Sequence, residues 1–467
     1  MLKRYLWIAL ALILAGCTPL WETAPTAIPE PTTVALAPPT ALPATPEPSA
    51  TPRPSATAAP SVEPATATPE PSPTIIQGGA ATAEPEITPT PAPPLTNEQR
   101  LELFEEVWAT VNDHYLYPDF NGVDWAQVRS DFEPQVQAAV SDGDFYVVLT
   151  SMVDRLNDNH SRFAPPEDAR YEDAVSNGTD SYVGIGVLSV TEDNAALVTL
   201  VFADSPAAEA GIQRGDRIIG VDGGPFTDVG QIRGPEGTEV RLTVRSPQAE
   251  PRELTLVRRS IQGKILPSAR RLPNAPDIGY LLIPSLFADD MHTQVISRLA
   301  DLRQGDVPLR GLVMDLRSNG GGWRNVLEGI LGQFTSGNVG DFFNSGEAYP
   351  LEISPGSEFE AYHQLPLVVL VDRDSASYAE VLAGTLQYQG ATVIGQASAG
   401  NTETIYQYNF DDGSRLWVAQ EGFKLPDGTN FEGSGVQPDI VVDNDWTQFS
   451  IPNDPAILQA IAAIEEK

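Results

Sequence analysis

Hydrophobic positions change period three times along this chain of 467 residues. From Asn97 onward, Leu101, Phe104, Val107, Trp108 and Val111 recur at helical spacing, with Asn97 as candidate N-cap and acids in the first turns. The pattern continues to about Leu156 and predicts a small helical subdomain that contains His114. From Ser181 the period shortens. SYVGIGVLSV, AALVTLVF, EVRLTVRS and ELTLVRR predict short strands, with a short helix over 207–210 stopped by Gly211 and a strand over Arg217–Val221. After Ile261, continuous apolar runs alternate with amphipathic helices. IGYLLIPSL, LRGLVMDL, LPLVVLVD and TVIG predict buried strands; MHTQVISRLADLRQ, WRNVLEGILGQF and SYAEVLAGTLQYQG predict the helices between them. That alternation means α/β layering. A strand pair around SRLWVAQEGFKLPDG and a terminal helix in DPAILQAIAAIEE complete it.

No such period exists in residues 18–95, which hold 21 of the 42 prolines among Thr, Ala, Ser and Glu. This composition offers too little apolar surface to offset the entropy of ordering, so it predicts a disordered, polyproline-biased spacer over 18–96. Ahead of it, Lys3 and Arg4 precede an apolar run from Tyr5 to Leu14, too short to span a bilayer comfortably and patterned as a signal peptide. Its end, Leu14-Ala15-Gly16-Cys17, resembles the bacterial lipobox, which implies lipidation of Cys17 and export to the cell envelope on a lipid anchor. Cys17 is the single cysteine, so no disulfide forms within the chain. The net charge is −35, of which −31 falls after Asn97. That excludes nucleic acid and anionic lipid faces as natural partners of the folded part. No HExxH, CxxC or GxxxxGK pattern occurs, so neither metal nor nucleotide cofactor is expected.

The β-rich stretch carries AEAGIQRGDRIIGVDG, in which Gly215-Asp216 and Asp222-Gly223 bracket one strand. This succession resembles a PDZ domain, placed over 179–261. The resemblance implies that Val183, Gly184, Ile185 and Gly186 form the loop whose backbone N–H groups hold a peptide C-terminal carboxylate, the peptide adding as a strand to a sheet edge.

Three distant segments carry the residue types of a nucleophile, a base and an orienting acid: VDRDSASYAE around Ser377, LNDNHSRF around His160, and NFEGSGVQPD around Glu432. LPLVVLVD delivers the chain to a strand end, and a helix begins near Ser377, where free N–H groups can meet an oxyanion. On the fragment alone Ser375 or Ser377 could equally cap that helix. The turn DLRSNGGG likewise follows a strand, over 311–316, and can point an N–H at a reacting oxygen.

DLRSNGGG, VDRDSASYAE, QASAGNT and LPDGTNFEGSGVQPDI, in that order after a PDZ-like unit, resemble the S41 serine peptidases. The resemblance covers essentially 97–445. It implies an α/β, ClpP/crotonase-like catalytic domain over 262–467, with an N-terminal helical subdomain over 97–178 and the PDZ domain inserted. It also implies Ser377 as nucleophile, the serine three residues before Glu380. The Tyr378 N–H and a glycine of the NGGG turn would form the oxyanion hole, with Gly321 first and Gly320 the alternative. C-terminal processing peptidases of this family take a lysine base from a G-K-G-T segment. Here the matching stretch is Gly400-Asn401-Thr402-Glu403, where Asn401 replaces the lysine, and the next lysine is Lys424 in another segment. The tricorn-like branch uses a histidine instead, which implies His160 as base and Glu432 as the acid supporting it, directly or through Asn159. His292 and His363 match no segment. Together these readings imply a membrane-tethered exported serine endopeptidase acting on protein or peptide substrates. The alternative is a catalytically silent PDZ-containing binding lipoprotein, to which the loss of the family lysine would point.

Overall fold

The computed structural model describes residues 93–467 apart from 159, 305 and 306, so the leader, Cys17 and the proline-rich tract lie outside the described residues. The first helix, α1 (Asn97–His114), is capped by Thr96 rather than Asn97. Gln99 N–H donates to Thr96 Oγ1 at 3.3 Å while Thr96 N–H donates to Gln99 Oε1 at 2.9 Å. This reciprocal box satisfies two donors that Asn97 could not. Helices α2 (Trp125–Ala138) and α3 (Asp142–Val153) follow, and Phe104, Val107 and Val111 meet Trp125, Phe132, Phe145 and Leu149 in one cluster. That cluster also takes in Leu416, Val418 and Ala419, more than 250 positions later. The helices therefore do not close on themselves. Strand β1 (Arg162–Ala164) pairs antiparallel with residues 415–417, which places the preceding loop, with His160, against the C-terminal part of the chain.

After α4 (Pro166–Ser176) come β2 (Ser181–Gly184), β3 (Val187–Glu192), β4 (Ala195–Val201), α5 (Pro206–Glu209), β5 (Arg217–Val221), β6 (Gly224–Pro225), β7 (Glu239–Arg245), β8 (Arg252–Val257) and β9 (Arg259–Gln262). Five of these strands form an antiparallel sheet in the order β3-β4-β5-β7-β8, with β6 on β5, while β2 pairs with β9 as a separate two-stranded stalk. Alternation in β7, with Val240, Leu242 and Val244 inward, builds a small core with Ile218, Phe226 and Leu256.

The remaining elements are β10 (Ser268–Leu272), β11 (Ala275–Leu282), α6 (Met291–Arg303), β12 (Gly311–Asp315), α7 (Arg324–Leu331), β13 (Gly337–Phe343), β14 (Ala348–Ile353), α8 (Phe359–Tyr362), β15 (Leu367–Val371), α9 (Tyr378–Tyr388), β16 (Thr392–Gly395), β17 (Thr404–Asn409), β18 (Arg415–Lys424), β19 (Ile440–Val441) and α10 (Pro455–Glu465). The central sheet runs β10-β11-β12-β15-β16-β19, parallel from β11 onward. Its inner strands β12 and β15 are buried on both faces, as continuous apolar runs require. Leu312, Met314, Val369, Val371 and Val393 face α6, α7 and α9, while Val313, Val368, Leu370 and Ile394 face α10. A second sheet, β1-β18-β13-β14 with β17 on β18, joins the first three helices to this core. The stretch RLWVAQEGFK is thus one ten-residue strand, and its partner β17 lies just upstream.

Candidate active site

Ser377 stands between β15 and α9 with φ 56° and ψ −132°, a conformation that costs a non-glycine residue about 1–3 kcal/mol and persists only when surroundings enforce it. The enforcement is visible. Ser375 Oγ donates to the Leu316 carbonyl at 2.9 Å, Ala376 N–H donates to the Asn319 carbonyl at 2.9 Å, and Ser377 N–H donates to the Asn401 carbonyl at 2.7 Å. The fully buried Glu380, one turn into α9, accepts from Ser377 N–H at 3.1 Å, Ser398 Oγ at 2.5 Å, Gly400 N–H at 2.7 Å and Asn401 N–H at 2.8 Å. Burial raises its pKa, and these four donors oppose that rise. One carboxylate thus welds the serine turn to the 398–401 loop.

The Tyr378 N–H, the first of α9, has no hydrogen-bond partner among the described residues. Beside it lies the glycine turn. A Cβ on Gly321 would sit 2.6 Å from Ser377 Cβ and 2.9 Å from Tyr378 N, so only glycine allows this approach, at φ 88°. Yet the Gly321 N–H donates to Asn319 Oδ1 at 2.9 Å, whereas the Gly320 N–H has no partner among the described residues. Gly320 thus holds an unspent donor, while Gly321 makes the close approach to Ser377.

His160 is buried, its backbone N–H held by Asp158 Oδ1 at 2.9 Å. Burial pushes its pKa down to about 4, while the Asp158 charge and the Asn401 backbone act upward. Asn401 is the junction: its carbonyl holds the serine N–H, and its backbone meets the imidazole. No hydrogen bond joins Ser377 Oγ to His160, and His160 Nε2 has no hydrogen-bond partner, among the described residues. The nearest carboxylate to Nε2 is Glu403, with Oε2 at 3.8 Å. Glu403 is buried, accepts from Tyr117 Oη at 2.5 Å, and is pushed up to about 7 by burial, with the Glu432 and Asp158 charges adding to the rise.

Glu432, expected from the sequence as the supporting acid, is engaged elsewhere. It accepts from Thr402 N–H at 2.7 Å and Thr402 Oγ1 at 3.1 Å, one residue before Glu403. It thus sits behind the acid that faces the histidine. Sequence reasoning passed over Glu403 although it ends the quoted segment GNTE, and the one available signal was a second acid there. Lys424 lies at the end of β18, paired in register with Asp341.

In the PDZ-like unit, Val183 and Gly184 belong to β2 and are paired with β9, so the candidate loop narrows to Ile185 and Gly186. Their carbonyls accept from Ala207 and Phe202 N–H groups, while their own N–H groups have no partner among the described residues. Gly186 adopts φ 88°, and a Cβ there would meet Ser205 Cβ at 2.1 Å. Strand β3, which follows, is an edge of its sheet and exposes Leu188.

Three family models match the chain: peptidase family S41 over residues 277–442, the tricorn protease C1 domain over 96–154, and a PDZ domain over 197–246. Among curated relatives, a carboxyl-terminal-processing protease of Synechocystis sp. is 28% identical, covering 79% of this chain and 87% of that protein. A chloroplastic carboxyl-terminal-processing peptidase 2 of Arabidopsis thaliana is 30% identical, covering 76% and 71%. Among solved structures, a photosystem II D1 C-terminal processing protease superposes with a TM-score of 0.50 at 23% identity, covering 75% of this chain and 94% of that one, which speaks to the fold. These likenesses set aside the reading as a silent binding protein. The chain belongs to peptidase family S41 and is a serine peptidase with a tricorn-type helical region and a PDZ domain.

Proposed function

We propose that this protein is a carboxyl-terminal-processing serine endopeptidase that works with a histidine base, tethered to a membrane of the cell envelope through lipidated Cys17, with residues 18–96 as its leash. The observation that carries the reading is the Asn401 junction, which brings the strained Ser377 and the buried His160 to one peptide unit and leaves no lysine there. In acylation the Ser377 Oγ–H proton passes to His160 as Oγ bonds the scissile carbonyl carbon. The oxyanion is met by the N–H groups of Tyr378 and Gly320. His160 then returns the proton to the leaving amine, and water repeats the sequence to free the acid. A neutral imidazole is required at the start, and burial keeps His160 neutral at physiological pH. The PDZ unit would take a substrate's C-terminal carboxylate at the Ile185 and Gly186 N–H groups and its last residues along β3, adjoining Leu188.

Fluorophosphonate labelling of the full chain tests the reading. Wild type should label, and both Ser377→Ala and His160→Ala should lose labelling. Label retained in His160→Ala would remove histidine as base.

A further inference from the structure

We propose that Glu403, held by Tyr117, is the acid that positions and charge-balances the His160 imidazole, and that Glu432 acts one step behind it by holding Thr402. The inference rests on the reading of His160 as base and adds what makes that base competent. Its geometric ground is threefold. Glu403 Oε2 lies 3.8 Å from His160 Nε2, an atom that is buried and lacks a hydrogen-bond partner. Tyr117 Oη fixes the opposite carboxylate oxygen at 2.5 Å, leaving Oε2 to face the ring. Glu432 accepts from the Thr402 N–H and hydroxyl through one oxygen, Oε2, which ties it to the residue next to Glu403, and it makes no ion pair with His160 among the described residues.

The groups acting on Glu403 come from three parts of the chain. Tyr117 follows α1, with Tyr115 beside it. Asp158 and His160 lie between α3 and β1. Glu432 lies in the loop after β18. Among the described residues no lysine or arginine acts on Glu403. Asp158 and Glu403 thus flank the imidazole, with Glu432 behind Glu403, and the proton that His160 takes from Ser377 brings positive charge to this acidic cluster. While Glu403 is protonated it offers nothing to an imidazolium. Once ionised, it stabilises the charge that appears on the ring in the transition state. Burial keeps Glu403 protonated until about neutrality, so the site gains competence as pH rises through about 7.

The test is the second-order rate of labelling of the full chain by a fluorophosphonate probe, followed from pH 5 to 9, with thermal melting as a folding control. Wild type should show a rate that falls below about pH 7. Glu403→Gln should lower the plateau about 10²- to 10⁴-fold and remove that limb. Tyr117→Phe is the milder variant. It keeps the carboxylate but loses the hydrogen bond that favours its ionised form, so the limb should move to higher pH with the plateau nearly unchanged. Glu432→Gln removes a like charge and should move the limb to lower pH. A wild-type limb persisting in Glu403→Gln, or a plateau lost only in Glu432→Gln, would overturn the assignment while leaving His160 intact as base. Labelling at the wild-type rate in His160→Ala would instead overturn the base itself and this inference with it.

Discussion

Two glutamates flank the reacting groups, and they are opposites. Glu380 takes four hydrogen bonds on its two oxygens, from three backbone N–H groups and a serine hydroxyl. Among the described residues Glu403 takes one, from a phenol, and otherwise faces a histidine and two other acids. The first is a structural clamp whose charge is spent on holding the nucleophile's backbone in a strained turn. The second is kept poorly satisfied, which is the condition for a group whose protonation changes near neutrality. Buried acids of the same type and similar depth thus divide the labour: one fixes geometry, the other responds to charge.

The largest expected effect is Glu380→Ala, which strands four donors at a cost of about 1–3 kcal/mol each before relaxation, so urea unfolding should register a loss of at least about 3 kcal/mol. Labelling of Ser377 should vanish with it. A variant that stays stable and active would mean that the turn does not need its clamp. Next is Gly321→Ala. The added methyl would meet Ser377 Cβ at 2.6 Å at a positive φ, and peptide hydrolysis should fall about 10²-fold or more while the fold survives. An unchanged kcat would show that the glycine turn is not pressed against the nucleophile during turnover. The smallest effect belongs to Asn401→Ala. Its backbone makes every contact described above, and its side chain makes no hydrogen bond among the described residues, so hydrolysis should change by less than about threefold. A large loss there would place the Asn401 amide in the chemistry.

Much of this was legible in the sequence, for identifiable reasons. Buried parallel strands leave unbroken apolar runs, so β11, β12, β15 and β16 can be read directly, and the serine turn follows from the end of β15. The pairing of His160 with Glu403 was not legible. It depends on β1 meeting β18, and no local period records which distant strand a three-residue segment will join. Nor could the sequence show that the Gly321 N–H is taken up by the Asn319 side chain. The cap of α1 was misplaced by one residue because Asn97 is itself a good capping residue. The Thr96–Gln99 box decided the matter.

Strand β18 has a consequence in time. Ser161 Oγ accepts from Ala419 N–H across 258 positions of sequence, and Arg162 pairs with Trp417. Closing so long a loop costs little more entropy than closing one half its size, but it cannot happen before residue 419 exists. At a synthesis rate of about 5–20 residues per second, the histidine waits roughly 10 to 50 s for its strand. Until then the nascent chain has a base without a site. The histidine segment therefore gains its surroundings only after residue 419 has been made, wherever the chain then folds.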